Sequence, residues 1–121
     1  MAFKKGVQPD GSWFVYAGDG NAVTWNLIAG GQPWNLTGAT VMAHARKVDT
    51  DETPAMEAEC VVLDEEGGSV RISWDGETEV RPVLSGTSSW SGVYDIQVVM
   101  GAGKPETVHR AKMFAKMDVT R

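Results

Sequence analysis

Apolar residues in this chain recur mostly at every second position. Val23, Trp25 and Leu27 alternate with Thr24 and Asn26, and Ala39, Val41, Ala43 and Ala45 alternate with Thr40, Met42 and His44. Val70, Ile72 and Trp74 flank Arg71 and Ser73, while Tyr94, Ile96, Val98 and Met100 flank Asp95, Gln97 and Val99. Toward the end, Ala111, Met113, Ala115 and Met117 alternate with Lys112, Phe114 and Lys116. A period of two puts each apolar set on one side of a strand, with one face buried and one wet. The helical spacing i, i+3, i+4, i+7 is met over no long window, because Gly or Pro interrupts it.

Turn residues separate these segments. Gly18-Asp19-Gly20-Asn21, Gly30-Gly31-Gln32-Pro33, Asp75-Gly76 and Gly101-Ala102-Gly103 tolerate positive φ. Glu65-Glu66-Gly67-Gly68 joins Cys60–Leu63 to Val70–Trp74 as a hairpin. Strands are predicted at roughly 13–17, 22–29, 38–47, 56–64, 69–74, 91–100 and 106–118. The polar stretch Glu77–Ser89, with Pro82, reads as a loop holding an edge strand or one helical turn. The predicted fold class is all-β, a single antiparallel β-sandwich of about seven strands. It fills residues 12–121, behind an extended N-terminal arm at 1–11 that is too polar for a core strand and could order on docking.

Composition narrows the function. The chain has 121 residues and a formal charge of −5, enough for one hydrophobic core and the wrong sign for a nucleic-acid binder. No apolar run approaches the ~18 residues of a membrane span, and the N-terminus lacks the apolar stretch of a secretory signal. The single Cys60 excludes an internal disulfide and reads as a small core or interface residue.

Reactive constellations are sparse. Only His44, on the polar side of its strand, and His109, on the apolar side, could serve as imidazole bases, and neither falls in a nucleophile motif. The carboxylates of Asp49, Asp51 and Glu52, and of Asp64, Glu65 and Glu66, lack EF-hand spacing and read as solvated turns. Gly101-Ala102-Gly103-Lys104 resembles part of a phosphate loop, but Pro105 stands where Ser or Thr is needed. No cofactor or metal is expected. The five tryptophans are the informative excess. Trp25 and Trp74 fit inward strand positions, whereas Trp13, Trp34 and Trp90 lie at segment ends and, with Phe3 in the arm, are the candidate interface residues.

The order of the segments carries a resemblance. Trp34-Asn35-Leu36-Thr37-Gly38-Ala39-Thr40-Val41, followed by Ala43-His44-Ala45-Arg46, resembles the DLTGATV-x-A-x-x-R signature of small bacteriophage virion domains. Those are the N-terminal domain of phage baseplate upper proteins and related short tail-associated proteins. Gly18-Asp19-Gly20, Gly67-Gly68-Ser69-Val70-Arg71-Ile72, Ser91-Gly92-Val93-Tyr94-Asp95-Ile96 and the terminal Asp118-Val119-Thr120-Arg121 are similar to further family segments in the same order. The likeness covers most of residues 13–121. It departs at Asn35, where the family has Asp, and before Ser91, where the family's short helical pattern is missing.

The resemblance implies an immunoglobulin-like sandwich used for assembly, with no catalytic residues to carry over. The function expected is that of a non-enzymatic tail or baseplate adaptor, made in the host cytoplasm and resident in the virion. Its partners would be other virion proteins, with the chain in many copies or homo-oligomeric, and neither nucleic acid nor membrane involved. Three alternatives stay open: a capsid decoration protein bridging capsomers, a carbohydrate-binding module using a tryptophan platform, and a small hydrolase built on His44 or His109.

Overall fold

The computed structural model describes residues 6–18 and 20–117; Phe3, Asp19 and the terminal Asp118–Arg121 lie outside the described residues. Eleven strands run through the described chain. They are β1 (Gly6–Val7), β2 (Trp13–Tyr16), β3 (Ala22–Asn26), β4 (Ile28–Ala29), β5 (Gln32–Pro33) and β6 (Ala39–Arg46). After these come β7 (Met56–Glu57), β8 (Glu59–Asp64), β9 (Ser69–Ser73), β10 (Ser89–Met100) and β11 (Glu106–Lys116). The larger sheet has the order β1-β2-β11-β10-β6-β7, the smaller β3-β9-β8, and β4 and β5 form a separate ribbon. The protein is all-β, as the alternation predicts.

Every alternating set puts its apolar members inward. Val41, Ala43 and Ala45 of β6, Tyr94, Ile96 and Val98 of β10, and Met113 and Ala115 of β11 are buried. They share one core with Val70 and Ile72 from the smaller sheet and with Trp74 just after it. The two sheets therefore meet face to face, and aromatic rings fill the middle. Trp13 lies 5.7 Å from Trp25, 5.7 Å from Trp74 and 5.5 Å from Tyr94, the last two edge to face. Such edge contacts set the positive ring rim against the negative ring face. Between β7 and β8 the chain crosses from the larger sheet to the smaller at Ala58, whose N–H donates to Ala43 O at 2.9 Å. Met56–Glu57 pairs with β6 before that point, and Glu59–Asp64 pairs with β9 after it.

Asn21 joins the two layers. It is one of the buried polar residues, at 4% exposure, with φ at 49°. Its Oδ1 accepts from Tyr16 N at 3.0 Å, and its Nδ2 donates to Tyr16 O and to Trp74 O, both at 2.9 Å. One amide thus satisfies backbone groups of β2 and of the residue after β9, which no ladder reaches.

Two expectations need correction. The arrangement is not wholly antiparallel, because β2 runs parallel to β11, with Trp13 opposite Met113 and Phe14 opposite Phe114. The first long segment covers the open edge of the last strand, and a parallel pair leaves no turn signature in the sequence. Residues 6–11 of the expected arm are folded, since Gly6 and Val7 pair with Phe14 and Trp13 in a hairpin. Its turn is closed by Gln8 N to Ser12 O at 2.8 Å and by the Asp10 carboxylate, which accepts from Ser12 N and Oγ. Those bonds hold the Asp10 carboxyl below its ordinary range. The stretch after β9 holds a helical turn, one of its two expected forms, with Gly76–Val80 running into α1 (Arg81–Val83). Asp75 caps it through Oδ1, accepting from Glu77 N and Thr78 N at 2.9 Å, which lowers the Asp75 pKa. Buried Val80 and Leu84 anchor this turn to the core.

Candidate interaction surface

The three candidate interface residues that are described, Trp13, Trp34 and Trp90, do not come together. Phe3 is outside the described residues, and Trp13 is at 0% exposure in the centre of the core, so it offers no surface to a partner. Trp34 is half-buried where the β4–β5 ribbon meets the β8–β9 turn, its N–H donating to Leu27 O at 2.9 Å. The backbones pack so closely there that a Cβ on Gly68 would stand 2.5 Å from Leu27 O. Trp90 is half-buried at the opposite end of the strands, in phase with the inward residues of β10. No shared tryptophan platform exists among the described residues.

Trp90 borders a groove of about 520 Å³ whose lining includes Lys47, Phe114 and Lys116. A second hollow continues from it past Ser91 and Phe114 to Lys112. The register explains the convergence. Ser89 opposes Lys116, Ser91 opposes Phe114 and Val93 lies between Lys112 and Arg46, so three distant segments end side by side. Phe114 stacks edge to face on Phe14 at 4.9 Å on this outer side of the sheet. The Lys47 ammonium sits 5.7 Å from the Trp90 ring centroid and donates to Ser91 O at 2.8 Å.

Beyond the groove the same outer face carries Arg46 and Arg110. Both reach the carboxylate of the buried Asp95, at 3.5 and 3.8 Å. Lys47, Lys112, Lys116, Arg46 and Arg110 make up five of the eleven lysines and arginines of a chain whose net charge is −5. Among the described residues neither hollow is lined by a carboxylate. This face is locally cationic, rimmed with aromatic rings, and suited to an acidic partner surface.

The other candidate groups have structural partners. His44 Nε2 lies 3.4 Å from Glu57 Oε1 across the β6–β7 pair. His109 packs on Trp25 and Tyr94, with Nε2 at 2.9 Å from the Tyr94 hydroxyl. That hydroxyl donates to Gly11 O at 2.5 Å, so His109 Nε2 carries the proton that completes the pair. Burial pushes the Tyr94 pKa up. Cys60 is half-buried against the core, and its thiol is pushed up to about 11, chiefly by burial. In the acidic loops, Asp51 accepts from Val48 N and Asp64 from Gly67 N, as turn-forming carboxylates do. Among the described residues no group of three or more His, Cys, Asp or Glu side chains is placed to hold a metal ion. Gly101–Gly103 forms the β10–β11 turn, with Gly103 N donating to Met100 O.

Sequence reasoning missed Asn21 and the lysine groove. Asn21 is visible only as one residue of a glycine-rich turn. Lys47 and Lys116 are far apart in the chain, and only the strand register unites them. No family model matches this chain, and no curated protein matches it.

Proposed function

We propose that this chain is a small immunoglobulin-like assembly module of a tailed-phage virion, an adaptor at the tail or baseplate that acts by binding and performs no covalent chemistry. The observation that carries this reading is the ordered series of family-like motifs over most of residues 13–121, whose described residues serve turns and strands. In the first, Asn35 Oδ1 accepts from Thr37 N, Leu36 is buried, and Gly38 takes φ of 78° before β6 begins. That left-handed turn explains why glycine follows Leu-Thr. Similarly, the Ser91–Ile96 motif supplies the buried Tyr94 and Ile96 of the longest strand.

Strand order supports the immunoglobulin-like part. After the first strand, β3, β9 and β8 correspond to the B, E and D strands of that architecture, and β11, β10, β6 and β7 to G, F, C and C′. With one cysteine there is no internal disulfide, and the rings of Trp13, Trp74 and Tyr94 pack together in the core between the sheets. The cationic groove and the open sheet edges give such a block its contacts, and high copy number lets modest contacts sum.

Mass spectrometry of purified particles of the encoding phage tests the proposal. The chain is expected at a fixed ratio to the tail proteins. Its absence from intact particles refutes a virion role, and a ratio fixed to the major capsid protein moves the assignment to the head.

A further inference from the structure

The cationic groove has a match on the same molecule. At the far end of the strands, the β8–β9 turn presents Asp64, Glu65 and Glu66, all exposed, beside Leu63, which is 50% exposed. Its position is fixed by Leu36 N donating to Glu65 O at 2.6 Å and by Leu27 N donating to Gly68 O at 2.8 Å. The groove lies where β10 begins and the turn lies near where β10 ends, since Met100 pairs with Ala39 beside Gly38. From Ser91 to Met100 the strand spans about 30 Å, so the turn of one molecule cannot enter its own groove. A neighbour's can.

We propose that the Lys47–Lys112–Lys116 groove binds the Leu63–Glu66 turn of a second copy of this chain. The proposal rests on the reading of the groove as a docking surface and names its occupant. Three carboxylates on the turn face three ammonium groups, and Leu63 meets the rings of Trp90 and Phe114. The turn is built for insertion, because Asp64 Oδ1 holds Gly67 N at 3.1 Å and the closely packed Gly68 pins its base. Lys47 keeps two ammonium protons after donating to Ser91 O. Groove and turn are different surfaces at opposite ends, so the contact is head-to-tail and generates rings or filaments rather than a two-fold dimer.

Sedimentation velocity of the full chain over a range of concentrations and between about 0.02 and 0.5 M salt tests this. The mean mass is expected to rise with concentration at low salt and to fall toward the monomer at high salt. The double variants K47E/K116E and E65K/E66K each reverse two exposed charges; circular dichroism checks that both keep the fold. Each alone is expected to associate about tenfold more weakly than the parent chain. An equimolar mixture recovers association, because each variant supplies the surface the other has lost. A parent chain that stays monomeric at low salt overturns the proposal, as does a mixture no heavier than its components. Particle incorporation separates the two levels. If K47E/K116E fails to enter particles while the parent chain is monomeric, the groove is a docking surface for a different virion protein and this inference is wrong.

Discussion

Replacing Asn21 by Gly isolates the work of one side chain. The backbone at Asn21 is left-handed, with φ at 49°, a conformation glycine adopts freely, so this substitution adds no strain. It removes three hydrogen bonds, to Tyr16 N, Tyr16 O and Trp74 O. A hydrogen bond contributes about 1 kcal/mol net, and a buried group left without its partner costs about 1–3 kcal/mol. The Trp74 carbonyl bond is buried and spans 53 residues of sequence, so its loss falls at the costly end. Asn21→Gly should destabilise by about 3 kcal/mol. Asn21→Ala should cost about 1–2 kcal/mol more, because a Cβ is unfavourable in the left-handed region. Urea unfolding followed by far-ultraviolet circular dichroism measures both, and an unchanged m-value shows that stability alone has moved. If Asn21→Gly lies within about 0.5 kcal/mol of the parent chain, the range of an ordinary surface change, the claim that this amide clamps the two sheets is wrong.

Further outcomes follow from the same packing. Trp13→Ala and Trp74→Ala should each cost about 3–5 kcal/mol, tempered by removal of indole N–H groups that are buried without a partner; losses under about 1 kcal/mol at both would contradict the core described above. Deleting residues 1–11 removes Val7 from the core and the Gly11 carbonyl from the Tyr94 hydroxyl, so the truncated chain should fold with about 1–3 kcal/mol less stability. Cys60 should react with a thiol reagent near pH 8 far more slowly folded than unfolded, because its thiol is raised from 9.0 to about 11. With the folded value above the unfolded one, its contribution to stability is complete below pH 9 and is lost as pH rises toward 11; a denaturation midpoint that rises across that window would contradict this.

Strand existence and phase were legible wherever an alternating run was long. Val70, Ile72 and Trp74, or Tyr94, Ile96 and Val98, each repeat the period three times, and all six are buried. Trp13 illustrates the opposite case. Its strand has only two inward residues, Trp13 and Val15, beside Gly11 and Ser12, so no period separates a core ring from a loop ring. Met100 keeps the inward phase but is 42% exposed, because the strand runs past the end of the core there. Pairing partners were not legible, since the parallel β2–β11 contact and the change of sheet at Ala58 depend on long-range packing. For the same reason the lysine groove has no spacing to detect. Lys47 follows β6, while Lys112 and Lys116 belong to β11, and β10 between them sets their proximity.

The central proposal is that this protein works by holding other virion proteins, as a rigid two-layered β module in a tail or baseplate. A particle map at side-chain resolution tests it most directly. The account predicts density for the chain in threefold or sixfold rings on the tail, with the groove bordered by Trp90 and Phe114 covered by protein. Particles in which every protein density is assigned and none fits this chain would contradict it.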